Sequence, residues 1–277
     1  MTPSADRSYG GLRHTMLGDD VDRHVEELSL LGYTLLPSVL DSAELDVLRE
    51  RIDAEYDRQA AEFGLEALTA IGEQDLCRAP LIRDRRFVDL AMLPAVHRVL
   101  ERMLGHFYIL NLQNAIINRP NRPHHQGAWH RDLPHQHWIA SQPIAIGALV
   151  MIDDFSALSG GTQVLAGSHR HERAPSQAWI DHHGRQIEGA AGSVLMFDAM
   201  ILHRAGFNAS SQVRRGVNHL FTIPIIKQQY DFPRALGTDF ETDADAAVRQ
   251  VLGFTSQVPV DVAAWRRQRV ERQGKAR

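Results

Sequence analysis

His130 and Asp132 stand two residues apart in the run Trp129-His130-Arg131-Asp132, and His203 follows far downstream. In an extended strand successive side chains point to opposite faces, so His130 and Asp132 project from the same one and can hold one ion together. His203 would complete a set of two imidazoles and one carboxylate. Such a set on one side of a metal leaves the opposite positions open, the arrangement associated with non-haem Fe(II) oxygenases. A bare His-x-Asp is a weak signal in a chain with 15 histidines and 34 acidic residues, where two solvated strand residues are the ordinary reading.

The context adds to it. Gly160-Gly161-Thr162-Gln163-Val164-Leu165-Ala166-Gly167-Ser168-His169 precedes His203, and Arg214 follows His203 by eleven residues. Order and spacing over roughly residues 105–225 resemble the phytanoyl-CoA dioxygenase family, whose members are Fe(II)- and 2-oxoglutarate-dependent oxygenases and include ectoine hydroxylase. The resemblance implies that His130, Asp132 and His203 are the iron ligands and the catalytic centre. It implies that Arg214 pairs with the far carboxylate of 2-oxoglutarate, that Thr162 is a second contact to it, and that O2 is the other reactant. Gln113, by its distance before His130, is implied as a contact to substrate or cosubstrate. Two positions depart from the family pattern: Ala166 stands where proline is usual, and Ala205 where a small hydroxyl residue is often found. One cosubstrate contact is therefore missing or replaced.

Residue chemistry agrees with these roles. Neutral imidazoles and a hard anionic oxygen suit a divalent iron. A carboxylate at the far end of a cosubstrate needs a planar, permanently charged fork, which arginine supplies and lysine does not. Arg215 is the rival to Arg214, since only one of two adjacent strand residues faces inward. Trp129 is a candidate for the cavity wall and substrate contact, or for core packing. Gln113 could equally be partnered by neighbouring backbone. His124, His125, His135 and His137 sit in a proline-rich loop without a regular ligand spacing and read as surface histidines, one of which could line the substrate entrance. His169 reads as structural. Iron halogenases of related fold replace the carboxylate ligand by a small residue, and here Asp132 is present.

These side chains need rigid elements to bring them together. An amphipathic helix is expected over Asp19–Leu31, with Val21, Val25, Leu28 and Leu31 on one stripe, and Gly32–Pro37 reads as a short strand. Asp41 and Glu44 form a capping box for a helix that runs to about Phe63. The Ile82–Phe87 stretch is charged and irregular, and Pro94 opens a helix through Leu104 that turns Val96, Val99, Leu100 and Met103 inward. Short runs bounded by turn residues then predict strands at 107–118, 128–133, 143–152, 163–166, 193–197, 202–206 and 216–225, with helices near 243–252 and 261–272. The expected architecture is mainly β with flanking helices (α+β), a double-stranded β-helix of the cupin-like jelly-roll type. Its parts are a mobile arm (1–18) that could also fold over the site, a mainly helical support (19–105), the jelly-roll core (106–225) and C-terminal helices (226–277), all in one domain.

At 277 residues and 44% hydrophobic content the chain can bury a large core. A net charge of −4 offers no basic surface for nucleic acid, and no apolar run approaches the length of a membrane span. The single cysteine, Cys77, and an N-terminus unlike a signal peptide point to the cytoplasm. The expected function is hydroxylation of a small-molecule metabolite or natural-product intermediate by Fe(II), 2-oxoglutarate and O2, with release of succinate and CO2, by a monomer or homodimer. Desaturation, epoxidation or ring formation could run on the same centre. Two readings of other classes stay open: a metal-dependent hydrolase or lyase using the same His-Asp-His set with a metal-bound water, and a non-catalytic cupin-like binding protein.

Overall fold

Local chemistry starts the N-terminal helices where the sequence places them. Helix α1 (Asp20–Leu31) is capped by the Asp19 carboxylate, which accepts from the Asp22 amide, and it ends at Gly32, whose φ of +84° is the left-handed region that glycine tolerates. Strand β1 (Tyr33–Leu36) follows, then α2 (Ser42–Phe63), where Asp41 and Glu44 form the reciprocal capping box. The chain continues through α3 (Leu65–Ala70), β2 (Leu76–Arg78), α4 (Arg85–Ala91) and α5 (Pro94–Leu104). The β-rich part holds β3 (Ile109–Asn118), β4 (Ala145–Met151), β5 (Gln163–Leu165), α6 (Gln177–His183), β6 (Arg185–Gln186), β7 (Val194–Asp198), β8 (Leu202–Arg204) and β9 (Arg214–Thr222). It is followed by α7 (Phe232–Asp243), α8 (Ala246–Val251) and α9 (Val262–Lys275). The computed structural model describes residues 16–133, 136 and 138–275, so the expected arm lies outside the described residues up to position 15.

Two antiparallel sheets organise the chain among the described residues: a six-stranded one in the order β1-β7-β4-β9-β3-β2, and a three-stranded one in the order β6-β5-β8. This is the expected jelly roll with flanking helices. Alternation along the central strands separates two cores. Ala148 and Val150 of β4 and Val217 and Phe221 of β9 pack with Leu48 and Ile52 of α2, Phe87 of α4 and Leu100 of α5. Leu149 and Met151, on the opposite face of β4, pack with Phe197 of β7, Val164 of β5 and Phe155. Burial of each such side chain stabilises the fold by roughly 1.5–3 kcal/mol. The inner faces of β3, β4, β7 and β9 look toward the small sheet, and the site lies there.

Several elements differ from expectation. Residues 128–133 form no strand; a single two-residue bridge between His130 and His203 replaces it. β9 begins at Arg214 rather than 216. The Ile82–Phe87 stretch holds the end of a short 3-10 turn (Pro80–Ile82) and the start of α4, capped by Asp84. β1 and β2, from the part expected to be mainly helical, form the two edges of the large sheet. α3, α6 and β6 are too short for a hydrophobic period to register.

The turn after β7 fixes the region around the site. Its Asp198 amide donates to Gly32 O, and the Asp198 Oδ1 accepts from the Met200 amide at 2.8 Å. Burial pushes the Asp198 carboxyl up to about 6. A folded-state value above the ordinary ~3.9 means that this contribution to stability is full below about pH 4 and is lost as pH rises through 6. Asp198→Asn keeps the acceptor and cannot ionise. Urea unfolding should therefore show the stability of the variant rising relative to wild type between pH 4 and pH 7, by about 2–3 kcal/mol; parallel curves would contradict it.

Candidate metal centre

His130 and His203 face each other through reciprocal backbone hydrogen bonds, His130 N to His203 O at 3.0 Å and His203 N to His130 O at 3.1 Å. The next residue but one, Asp132, is pinned by its amide to Ala199 O at 3.0 Å. One ligand atom from each of His130, Asp132 and His203 lies within 4.8 Å of the others. His203 Nε2 is 3.5 Å and His130 Nε2 3.9 Å from Asp132 Oδ1, and the two rings are 4.3 Å apart.

Each imidazole donates from Nδ1 to a carbonyl two residues back: His130 to Ala128 O at 2.8 Å and His203 to Ile201 O at 3.1 Å. That choice of tautomer leaves both Nε2 lone pairs directed at the cluster, the outer-shell orientation that metal-binding histidines need. Burial opposes ionisation of Asp132, but His203 and His130 outweigh it and hold the carboxyl below its usual range. Burial, then the neighbouring His203, lowers the pKa of His130, whereas burial of His203 is outweighed by the Asp132 carboxylate, which raises it. His203 rests against the Phe197 ring at 4.8 Å. Phe197 has room because its cross-strand partner is Gly147, where a Cβ would sit 2.3 Å from the ring.

A small pocket opens beside the cluster, lined by His130, His203, Thr162, Arg214, Asn218 and Gln126 among others. Arg214 and Asn218 come from the inner face of β9, four residues apart. Arg214 is 3% exposed, lies over the Phe155 ring at 4.1 Å, and its guanidinium makes no hydrogen bond or ion pair with a described residue. Burial, partly offset by Asp153, pulls its pKa down to about 10, so it stays charged near neutrality. His130 Nε2, Asp132 Oδ2, Arg214 Nε and Asn218 Oδ1 are all sealed from solvent without a partner. Buried polar atoms are rarely left so. Their convergence fits a divalent ion at the imidazoles and carboxylate, and an anion at the guanidinium.

The structure brings His130, Asp132, His203, Thr162 and Arg214 together; it does not bring Gln113 or Trp129. Gln113 is fully buried on the opposite, helix-facing side of β3. Its Oε1 accepts from the Leu81 amide at 3.1 Å, and its Nε2 lies 2.7 Å from Phe87 O and 2.9 Å from His219 Nε2. The implied substrate contact is thus corrected to a structural tie. Trp129 turns away from the cavity and packs with Leu165, Ile180 and Leu202, under the Arg204 guanidinium. Arg215 points outward to Asp53 and Asp153. His169 is buried against Gly32, its ring bonded to Ser29 O. His125 is exposed, whereas His124, expected at the surface, has its Nε2 sealed. His135 and His137 lie outside the described residues. Asn218 was missed, although its four-residue offset from Arg214 on a strand puts both on one face; Gln126 and Phe155 carry no sequence signal.

The phytanoyl-CoA dioxygenase (PhyH) family model matches residues 29–216. The chain belongs to this family. An uncharacterised protein of Mycobacterium tuberculosis, Rv1501, is 32% identical over 243 residues, covering 86% of this chain and 88% of that one. L-proline trans-4-hydroxylase of Streptomyces griseoviridis is 25% identical over 230 residues, 66% of this chain and 79% of its own. Among solved structures, SnoN, a non-haem α-ketoglutarate-dependent epimerase from nogalamycin biosynthesis, shares the fold with a TM-score of 0.53 at 19% identity, covering 74% of this chain and 83% of that one. This PhyH-family chain is a dioxygenase, and its reaction uses Fe(II), 2-oxoglutarate and O2. No described helix is long and apolar enough to cross a membrane.

Removing Gln113 tests whether its role is structural. Gln113→Ala leaves Leu81 N, Phe87 O and His219 Nε2 buried without partners, at a cost of about 2–4 kcal/mol in urea unfolding. The affinity of the folded variant for 2-oxoglutarate, measured with Mn(II) in place of iron, should match wild type; a loss there without a loss of stability would restore Gln113 to the site.

Proposed function

We propose that this dioxygenase hydroxylates a small-molecule metabolite or natural-product intermediate, with amino-acid-sized substrates favoured. The observation that carries the reading is Arg214: a buried, charged guanidinium without a counter-ion among the described residues, in the same pocket as His130 and His203. In the proposed roles His130 and His203 hold iron through Nε2 and Asp132 through a carboxylate oxygen. Arg214 takes the far carboxylate of 2-oxoglutarate, with Thr162 on the same wall. When bound, Fe(II) and 2-oxoglutarate supply the oxygen activation, the cosubstrate leaving as succinate and CO2. The chain's own part is placement and exclusion of water. Phe197 and Gly147 set the pose of His203, and Phe155 backs the guanidinium so that its free edge meets the anion.

A metal-dependent hydrolase needs no cation of this kind, and a buried guanidinium left unpaired is costly unless a ligand compensates it. The likeness to a proline hydroxylase supports an amino-acid-sized substrate.

The test is to add Fe(II) and then 2-oxoglutarate to the metal-free protein without oxygen and record the visible charge-transfer band of a chelated keto acid. His130→Ala should abolish the band. Arg214→Ala should raise the 2-oxoglutarate concentration needed by about 30- to 100-fold, as loss of a charge-assisted pair of about 2–3 kcal/mol predicts. With oxygen admitted, a panel of free amino acids including proline should contain one that raises succinate release well above the uncoupled background. A site that binds metal but forms no band in wild type would sink the proposed residue roles, and a silent panel would sink the substrate class alone.

A further inference from the structure

The loop that joins β3 to the first proposed ligand runs between two fixed points and brings Gln126 to the pocket wall. Asn118, the last residue of β3, pairs with Arg214 across the sheet, and the loop ends at His130. Between them it is tied to the segment after His203: Asn121 N donates to Asn208 O at 2.8 Å, Asn208 Nδ2 to Asn118 O at 2.8 Å, and Ala205 N to Gln126 O at 2.9 Å. Ala205 has no polar side chain to offer the cavity. His124 lies midway along this loop.

Its protonation is set by the loop itself. The Gln126 amide donates to His124 Nδ1 at 3.1 Å, so the neutral ring carries its proton on Nε2. That Nε2–H is sealed from solvent and has no acceptor among the described residues. Burial above all, with the Arg214 charge nearby, pushes the pKa of His124 down to about 3, so the ring stays a neutral Nε2–H donor across the physiological range. The ring is held in place by His125, 4.3 Å away. His124 lies close enough to Arg214 for that charge to act on its ring, so a sealed donor and a buried guanidinium, neither partnered among the described residues, can share one anionic partner. A carboxylate offers about four lone-pair sites, more than one arginine fork fills.

We propose that His124 is a further cosubstrate-binding residue, its Nε2–H donating to the same far carboxylate of 2-oxoglutarate that Arg214 holds. The assignment rests on the reading of Arg214 given above. It makes the β3–His130 loop part of the cosubstrate site.

The test measures binding without turnover, by calorimetry on the Mn(II)-loaded protein, with 2-oxoglutarate and with 2-oxopentanoate, which has the same chain and no far carboxylate. His124→Phe keeps the aromatic ring and removes the donor; His124→Gln restores an N–H at a similar reach. The expected result is a 5- to 30-fold weaker 2-oxoglutarate affinity in His124→Phe, an unchanged 2-oxopentanoate affinity, unchanged Mn(II) affinity, and recovery to within about threefold in His124→Gln. An unchanged 2-oxoglutarate affinity in His124→Phe, or equal weakening of both keto acids, would overturn the proposal and leave Arg214 standing. A wild-type protein that binds both keto acids equally would overturn the Arg214 reading and this proposal with it.

Discussion

The reciprocal backbone pair between His130 and His203 is the constraint on which the site depends. Two hydrogen bonds, at 3.0 and 3.1 Å, fix the distance and twist between residues 73 positions apart in the chain, and each ring then finds a carbonyl two residues back to hold its Nδ1–H. Four backbone acceptors thereby decide what two side chains can do. With both protons committed to carbonyls, the Nε2 lone pairs have nowhere to go but the shared cluster with Asp132. The bridge is short because the ligand segment is not a strand. Asp132 is placed by a separate hydrogen bond to the turn after β7, and the same turn is anchored to Gly32 at the end of α1.

Parity along β9 places the second half of the site. Arg214 and Arg215 are chemically alike and adjacent, so the pleat sends one inward and the other out. Arg215 meets Asp53 of α2 and Asp153, a network that also takes in Arg49. Arg214 meets the Phe155 ring and no carboxylate of a described residue. The outer ion pairs tie β9 to the helical layer and so hold the inner guanidinium in a position it would not choose for its own solvation. Gln113 and His219 do the equivalent work on the helix side of β3 and β9, where a satisfied amide fixes register without facing a ligand.

Much of the centre was legible because ligand chemistry leaves sharp residue types. The spacing of His130 and Asp132 puts them on one face, the family resemblance supplied His203 and Arg214 as their companions, and the caps at Asp19, Asp41 and Glu44 follow from local geometry. The failures have physical causes. Gln113 was aimed at the cavity because a resemblance transfers a position and not a face; the shift in register between Leu110 and Leu112 on β3 shows how local geometry can alter facing. Trp129 turns outward because its neighbour His130 turns inward. β2 and α3 were hidden by their length. The burial of His124 was unreadable, since it comes from a loop pinned by Asn208 and Ala205, residues some eighty positions downstream.

A crystal structure of the protein grown without oxygen with Mn(II) and 2-oxoglutarate tests the central claim most directly. The account predicts one ion at about 2.0–2.3 Å from His130 Nε2, His203 Nε2 and an Asp132 oxygen, distances ordinary for such donors, with the backbone bridge between the two histidines unchanged and the far carboxylate of the keto acid against Arg214. An ion bound through Nδ1, an ion at another set of side chains, or a keto acid whose far carboxylate avoids Arg214 would contradict it.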